Sequence, residues 1–217
     1  MAEISASMVK DLREKTSAGM MDCKAALTEA QGNYDKAVEI LRMKGLKNVS
    51  KRAGKVAAEG QIYSYIHAGS RVGVMLELNT ETDFVAKSDE FTDLCKRIAM
   101  HVAWSNPRFL GREEIPAAVI EQESAIYRSQ LTPQQEKVAD KIIAGKLDKF
   151  YSEVCLVEQE DSRDPSTKKK ISDLIGELSA KVGEKIVLRR FIRFEVGEGI
   201  EKKDSDFAAE VKAAANI

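Results

Sequence analysis

The sequence has few aromatic residues, few cysteines and no long apolar run. Phe, Trp and Tyr supply 6% of the 217 residues, although apolar residues of all kinds reach 43%. The core must therefore consist mainly of Ala, Val, Ile and Leu, and the length allows one sizeable core or a medium core with a small module. No segment approaches the roughly 20 apolar residues that a membrane helix needs, so we expect no membrane contact.

The cysteines are too few and too scattered for a disulfide framework. Cys23, Cys95 and Cys155 are far apart in the chain, and each lies within an apolar pattern. Buried, reduced thiols explain this distribution better than disulfides or a zinc site do. The first residues are mixed and charged, without the basic stretch and apolar run of a secretory signal. Together these features indicate a cytoplasmic protein.

The chain also lacks a strong charge of either sign, since 34 Lys and Arg stand against 35 Asp and Glu. A balanced chain has no global field that draws it to nucleic acid, so we expect no direct nucleic-acid partner. Local basic stretches keep a nucleic-acid-binding protein open as an alternative class, which steep salt dependence of RNA binding would favour. These stretches are residues 47–55, residues 168–170, and Arg189, Arg190 and Arg193 of the last predicted strand.

Motifs for chemistry are missing as well. The sequence has no Gly-x-x-x-x-Gly-Lys-Ser/Thr loop, no Gly-x-Gly-x-x-Gly after a strand and no nucleophile elbow. The only histidines, His67 and His101, share no metal-ligand spacing with Cys, Asp or Glu. His101 lies among apolar helix positions, which favours packing over catalysis. We expect no catalytic residue, no metal and no cofactor, and a binding protein rather than an enzyme.

The first 55 residues predict a small module of three short helices followed by a basic linker helix at residues 47–55. Each predicted helix carries apolar residues at helical spacing and is bounded by caps or glycines. The boundary residues are Ser5 and Ser7 before the first helix, Asp22 and Gly32 around the second, and Asn33 and Gly45 around the third. Such a module is too small to be very stable alone.

Residues 56–197 predict an α+β core in which a small antiparallel sheet packs with helices. Period-two patterns predict strands at 61–67 and 71–78, joined by a hairpin at 68–70, and a last strand at 186–196. Between them, Ser88, Pro116 and the Thr132–Gln135 capping box each predict a helix start. A further helix is predicted at 171–182, and a terminal helical module at 198–217 begins its helix at Asp204 or Ser205.

One segment, residues 77–87, resists a packing explanation. It leaves a predicted strand and precedes a helix cap, and it places the carboxylate of Asp83 beside the large ring of Phe84. Connecting loops are where binding residues tend to collect. The alternative is that Phe84 folds back into the core while Asp83 makes a turn, and the residues alone leave both readings open.

Three segments together resemble the elongation factor Ts family. Residues 12–24 resemble its amino-terminal signature, residues 77–85 its second signature, and residues 194–202 with 206–211 its carboxy-terminal module. The resemblance implies a ubiquitin-associated-like helical module, an α+β core and a terminal helix. It also implies a guanine nucleotide exchange factor that acts on elongation factor Tu in translation elongation, a step of protein biosynthesis.

The resemblance assigns roles to two groups of residues. Thr82, Asp83, Phe84 and Val85 would enter elongation factor Tu, disturb its Mg²⁺ and phosphate site and release GDP. Arg13, Met20 and Met21 would contact the same domain from the helical module, although packing inside the module is a rival explanation for Met21.

The length of the chain bears on its assembly. The signature segment leads straight into the helix at Ser88, as in the short members of the family with a single core, in which two copies can associate. We therefore expect a homodimer. A peptide-binding adaptor that resembles ubiquitin-binding proteins, and that uses the first module alone, stays open as a further class.

Overall fold

The computed structural model describes residues 4–16, 18–52 and 54–200, with side chains at all of these except 46–51. Within these ranges it confirms the predicted α+β class. The helices are α1 (Ala6–Thr16), α2 (Met20–Glu29), α3 (Tyr34–Lys51), α4 (Asp83–Ala86), α5 (Asp89–Ser105), α6 (Ala117–Ser129), α7 (Ala139–Val154) and α8 (Ile171–Val182). The strands are β1 (Glu59–Ile66), β2 (Val72–Thr80) and β3 (Val187–Glu195).

The first three helices form a bundle with a hydrophobic core of its own. Leu12 of α1, Cys23 and Leu27 of α2, and Ala37 of α3 are fully buried together. Two predicted caps are confirmed: the Ser5 hydroxyl accepts from the Met8 amide at 3.3 Å, and the Asn33 side chain accepts from the Lys36 amide at 3.0 Å. Ser7, the other residue predicted before the first helix, lies inside α1. Gly32 adopts φ 82° after α2, as its predicted role as a stop requires.

The predicted end of the third helix at Gly45 is wrong. Helix α3 runs through Gly45 to Lys51, so the basic linker helix is its continuation rather than a separate element. Gly45 faces α8, and a Cβ atom placed there would lie 3.0 Å from Cβ of Ala180. The glycine therefore serves a close approach of two helices, α3 and α8, which joins the bundle to the core.

The three strands form an antiparallel sheet in the order β1-β2-β3. The strand predicted at 71–78 is confirmed as β2, whose alternate residues Val74, Leu76 and Leu78 are buried against α5. The hairpin at residues 68–70 is confirmed as well, because the His67 amide donates to the Val72 carbonyl at 2.9 Å. One face of the sheet thus lies on helices, while the other faces away from them.

The helices of the core follow the predicted starts with one exception. The Ser88 hydroxyl accepts from the Phe91 amide at 3.3 Å, α6 follows Pro116, and α8 ends at Gly183 with φ 71°. The Thr132–Gln135 segment, however, forms only half of a capping box, in which the Thr132 amide donates to the Gln135 side chain at 3.0 Å. A 3₁₀ turn follows, and α7 begins at Ala139 rather than at the box. The terminal helix predicted from Asp204 or Ser205 lies outside the described residues.

A buried polar cluster ties α5 to the segment before α8. His101 is 1% exposed, its Nδ1 accepts from the Ser162 amide at 3.2 Å, and its Nε2 lies 2.9 Å from Oε1 of Gln159. Because Nδ1 accepts and Nε2 donates, the ring is neutral. Burial lowers the pKa of His101, against a smaller opposing effect of the Gln159 hydrogen bond and the nearby Asp161 carboxylate. The predicted packing role of His101 is confirmed.

This cluster predicts a loss of stability in mild acid. The unfolded chain takes up a proton on His101 at a higher pH than the folded chain, so the free energy of unfolding should fall as the pH drops from 7 to 5. A single group can contribute at most about 1.4 kcal/mol per pH unit. Urea unfolding measured between pH 5 and 8 should show that the free energy of unfolding changes less with pH in His101→Gln than in the parent, although that variant is less stable at pH 7.5. His67→Gln, at an exposed ring, is the control, and an unchanged slope in His101→Gln would contradict the assignment.

Candidate functional site

The predicted signature loop is a single helical turn, α4, set at the end of β2. Thr82 is its N-cap, and the Thr82 hydroxyl accepts from the Val85 amide at 3.4 Å. A helix of four residues has no independent stability in water. Tertiary contacts must therefore hold this turn, and the sequence pattern gave no sign of it because the segment is too short to show a helical period.

Adjacent residues of this turn have opposite environments. Phe84 is 83% exposed, whereas Val85 is 7% exposed and packs in the core with Leu78 and Phe91. The alternative in which Phe84 folds back into the core is therefore wrong. Val85 anchors the turn from inside, and its burial directs the ring of Phe84 into solvent.

Asp83 presents its carboxylate beside the exposed ring. The carboxylate accepts from Nζ of Lys87 at 2.6 Å, and both side chains are exposed. The hydrogen bond and charge of Lys87 lower the pKa of Asp83, so the group stays ionised at neutral pH. The turn thus offers an anion and a large apolar ring next to each other.

Residues from distant parts of the chain hold the turn, and sequence reasoning missed them. Gln61 of β1 donates to the Ala86 carbonyl at 2.6 Å, and Glu184 accepts from Thr82. Glu81 accepts from the Lys185 amide at 2.7 Å and from Arg52 at 3.2 Å. These contacts join residues 25 to 104 positions apart, so no local sequence signal could have revealed them.

The module residues form a second, separate group around the connection between α1 and α2. Arg13 is exposed near the end of α1, and Met20 and Met21 begin α2 with 49% and 76% of their surface exposed. The exposure of Met21 argues against its packing inside the bundle. Among the described residues, no hydrogen bond or ion pair joins this group directly to α4.

The predicted thiols are confirmed as free and buried. Burial raises the pKa of Cys95 to about 12 and that of Cys155 to about 11, which keeps both protonated. Over the part of the chain that the structure describes, no group of three His, Cys, Asp or Glu side chains is placed to hold a metal. No helix in that part is both long and apolar enough to cross a bilayer.

The arginines of the last strand are engaged within the sheet. A register shift between Glu77 and Leu78 brings Arg189 and Arg190 onto the same carboxylate, at 2.7 and 2.6 Å from Glu77. Arg193 points inward, where it donates to the Ala103 carbonyl at 3.3 Å and pairs with Glu195 at 2.7 Å. These groups are partly neutralised rather than displayed as a free basic strip.

Comparison with known proteins identifies the family of the chain. Residues 2–198 match the family model described as Elongation factor TS. The chain is 54% identical over 211 residues to Elongation factor Ts of Alkaliphilus oremlandii, which covers 96% of each chain. It is 54% identical over 215 residues to that of Desulforamulus reducens, with 98% of each covered, and 52% identical over 218 residues to that of Desulfitobacterium hafniense, with all of each covered. The chain therefore belongs to the elongation factor Ts family, whose role is nucleotide exchange on elongation factor Tu in translation elongation.

Proposed function

We propose that the protein releases GDP from elongation factor Tu by inserting the Thr82–Val85 turn into the GTP-binding domain. Phe84 acts as the wedge, and Asp83 disturbs the polar contacts around the Mg²⁺ and phosphates. The observation that carries this proposal is the 83% exposure of Phe84 on a turn that is otherwise anchored in the core. A large ring held in water is available to fill a pocket of a partner, where aromatic anchors dominate binding.

No bond-making step is needed for this activity. In GTPases, Mg²⁺ bridges nucleotide phosphates and protein oxygens and holds much of the nucleotide's affinity. A partner that displaces this arrangement weakens the binding of GDP. GDP weakens the binding of that partner by the same free energy, typically about 1–3 kcal/mol. Excess GTP can then displace the exchange factor and complete the cycle.

The helical module, residues 1–55, would supply a second contact with the same domain through Arg13, Met20 and Met21. Exposed methionines suit this task because their flexible, polarisable side chains adapt to irregular surfaces. A second contact makes the insertion of the turn an intramolecular event once the module has bound. The exposure of all three side chains supports this role.

The open face of the sheet supports the expected homodimer. Ile62, Ile66, Met75, Ile192 and Phe194 lie on this face, each 48–64% exposed. Strand register makes the patch contiguous, because Met75 pairs with Ile192, and Gly73 lies between Ile66 and Phe194. Contiguous apolar patches on a sheet mark interaction surfaces. A second copy is the occupant that we propose, because two such faces stack in the manner of a sandwich, and the relatives are as short as this chain.

Replacing Phe84 with Ala tests the wedge. A buried Phe changed to Ala typically lowers stability by about 3–5 kcal/mol, but an exposed one should change it by less than about 0.5 kcal/mol. Phe84→Ala should weaken binding to elongation factor Tu by about 2 kcal/mol, and it should slow the release of fluorescent GDP by at least the corresponding factor. Trp104→Ala, at a ring that is 76% exposed, is the matched control. Normal GDP release by folded Phe84→Ala would remove the wedge from the mechanism.

Replacing Asp83 with Asn tests the role at the metal. We expect Asp83→Asn to slow GDP release in the presence of Mg²⁺, and to matter less after Mg²⁺ is removed by chelation, since the disturbed site is then already empty. Lys87→Met breaks the ion pair but keeps the carboxylate, so it should retain the Mg²⁺ dependence of the parent. Equal slowing by Asp83→Asn with and without Mg²⁺ would leave Asp83 as a general contact.

Replacing Met75 with Glu tests the dimer. Met75 lies on the central strand at the middle of the open face, so a charge there must be buried when two faces meet. Sedimentation equilibrium should show a dimer for the parent and at least a tenfold weaker association for Met75→Glu. Ile126→Glu on α6, at a side chain that is 41% exposed, is the control. A monomeric parent at micromolar concentration would overturn the homodimer.

A further inference from the structure

The carboxylate of Glu184 collects three hydrogen bonds from the segment that leads into α4. It accepts from the Thr80 hydroxyl at 2.9 Å, from the Thr82 amide at 3.0 Å and from the Thr82 hydroxyl at 2.7 Å. Glu184 follows Gly183 in the connection between α8 and β3, 102 positions from Thr82. Hydrogen bonds to an ionised acceptor are about twice as strong as those between neutral groups.

These contacts complete the N-cap of α4. In a capping box, the N-cap hydroxyl accepts from the N3 amide, and a Glu or Gln at N3 accepts from the N-cap amide. The N3 residue here is Val85, which is buried and has no acceptor. Glu184 takes its place by accepting from the Thr82 amide. It also takes the single hydroxyl proton of Thr82, which leaves the hydroxyl lone pairs for the Val85 amide.

The connection that carries Glu184 is itself fixed. The Ser179 hydroxyl donates to the Glu184 carbonyl at 2.5 Å, and the next amide, that of Lys185, donates to Glu81 at 2.7 Å. Glu81 lies one residue before Thr82, so the contact between Glu184 and Thr82 is reinforced by a hydrogen bond between their chain neighbours, Lys185 and Glu81. Glu184 therefore holds the turn that bears Phe84 in a fixed position relative to α8 and the core.

We propose that Glu184 is a positioning residue for nucleotide exchange: it fixes the N-cap of α4 and thereby the direction of Phe84, without touching the partner. The inference rests on the proposed function of the Thr82–Val85 turn. A four-residue helix deprived of its cap samples other directions, and the partner must then order it during binding. Release of GDP should therefore depend on Glu184 through the turn that carries Asp83 and Phe84.

The first test uses Glu184→Gln, which keeps the shape but presents an amide donor to groups that are themselves donors. Hydrogen exchange of the Val85 amide should accelerate, while the amides of α5 keep their protection. Release of GDP from elongation factor Tu should slow by about fivefold to tenfold at equal folded concentration, as expected for loss of a cap. Glu177→Gln, at a half-buried acid of α8 paired with Lys169, is the matched control.

The second test combines Glu184→Gln with Phe84→Ala. If Glu184 acts through the turn, Glu184→Gln should slow release by a smaller factor in the Phe84→Ala background than in the parent. Additive slowing, or an effect no larger than that of Glu177→Gln, would overturn the positioning role. Normal release by Phe84→Ala alone would instead overturn the wedge and with it any effect of Glu184 through the ring, while Val85 amide exchange would still report whether Glu184 holds the turn.

Discussion

The burial of Val85 beside the exposure of Phe84 is the constraint on which the proposed site depends. Successive residues of a helix point about 100° apart, so a turn whose Val85 side chain lies in the core must send the preceding ring away from it. The core that receives Val85 includes the buried faces of β2 and α5, the two elements that flank the turn. The apolar face of a small sheet thus sets the direction of a single exposed ring.

The helical module and the turn are not independent, because helix α3 reaches both. The absence of a side chain at Gly45 lets α3 pack closely on α8, and Arg52 just beyond its end contacts Glu81. Glu81 directly precedes the N-cap of α4, so its carboxylate links the end of α3 to the start of the turn. A module bound to a partner would therefore carry the turn with it as part of a connected body.

Local signals in the sequence were sufficient where the structure is local. Ser88, Asn33 and Gly183 mark helix ends through contacts within a few residues, and the alternation in β2 identifies its buried face. The failures have non-local causes: Gly45 looks like a stop but serves contact with Ala180, and α4 is held by side chains from β1 and from the connection after α8. The signature residues of the candidate site could be identified by resemblance, but Glu184, far from them in sequence, could not.

The open face of the sheet and the exposed ring of Phe84 differ in shape, and shape suits them to different partners. The open face of the sheet is broad and flat, with side chains from three strands, and a flat surface is best covered by another flat surface. Phe84 is a single ring on a narrow turn. Such a ring covers little of a flat surface, but it fits a cleft between helices. The pairing of this ring with the ionised Asp83 adds a further condition, because the cleft must have polar groups at its rim that a carboxylate can engage. A nucleotide site, with its metal and phosphate contacts next to packed helices, meets both conditions.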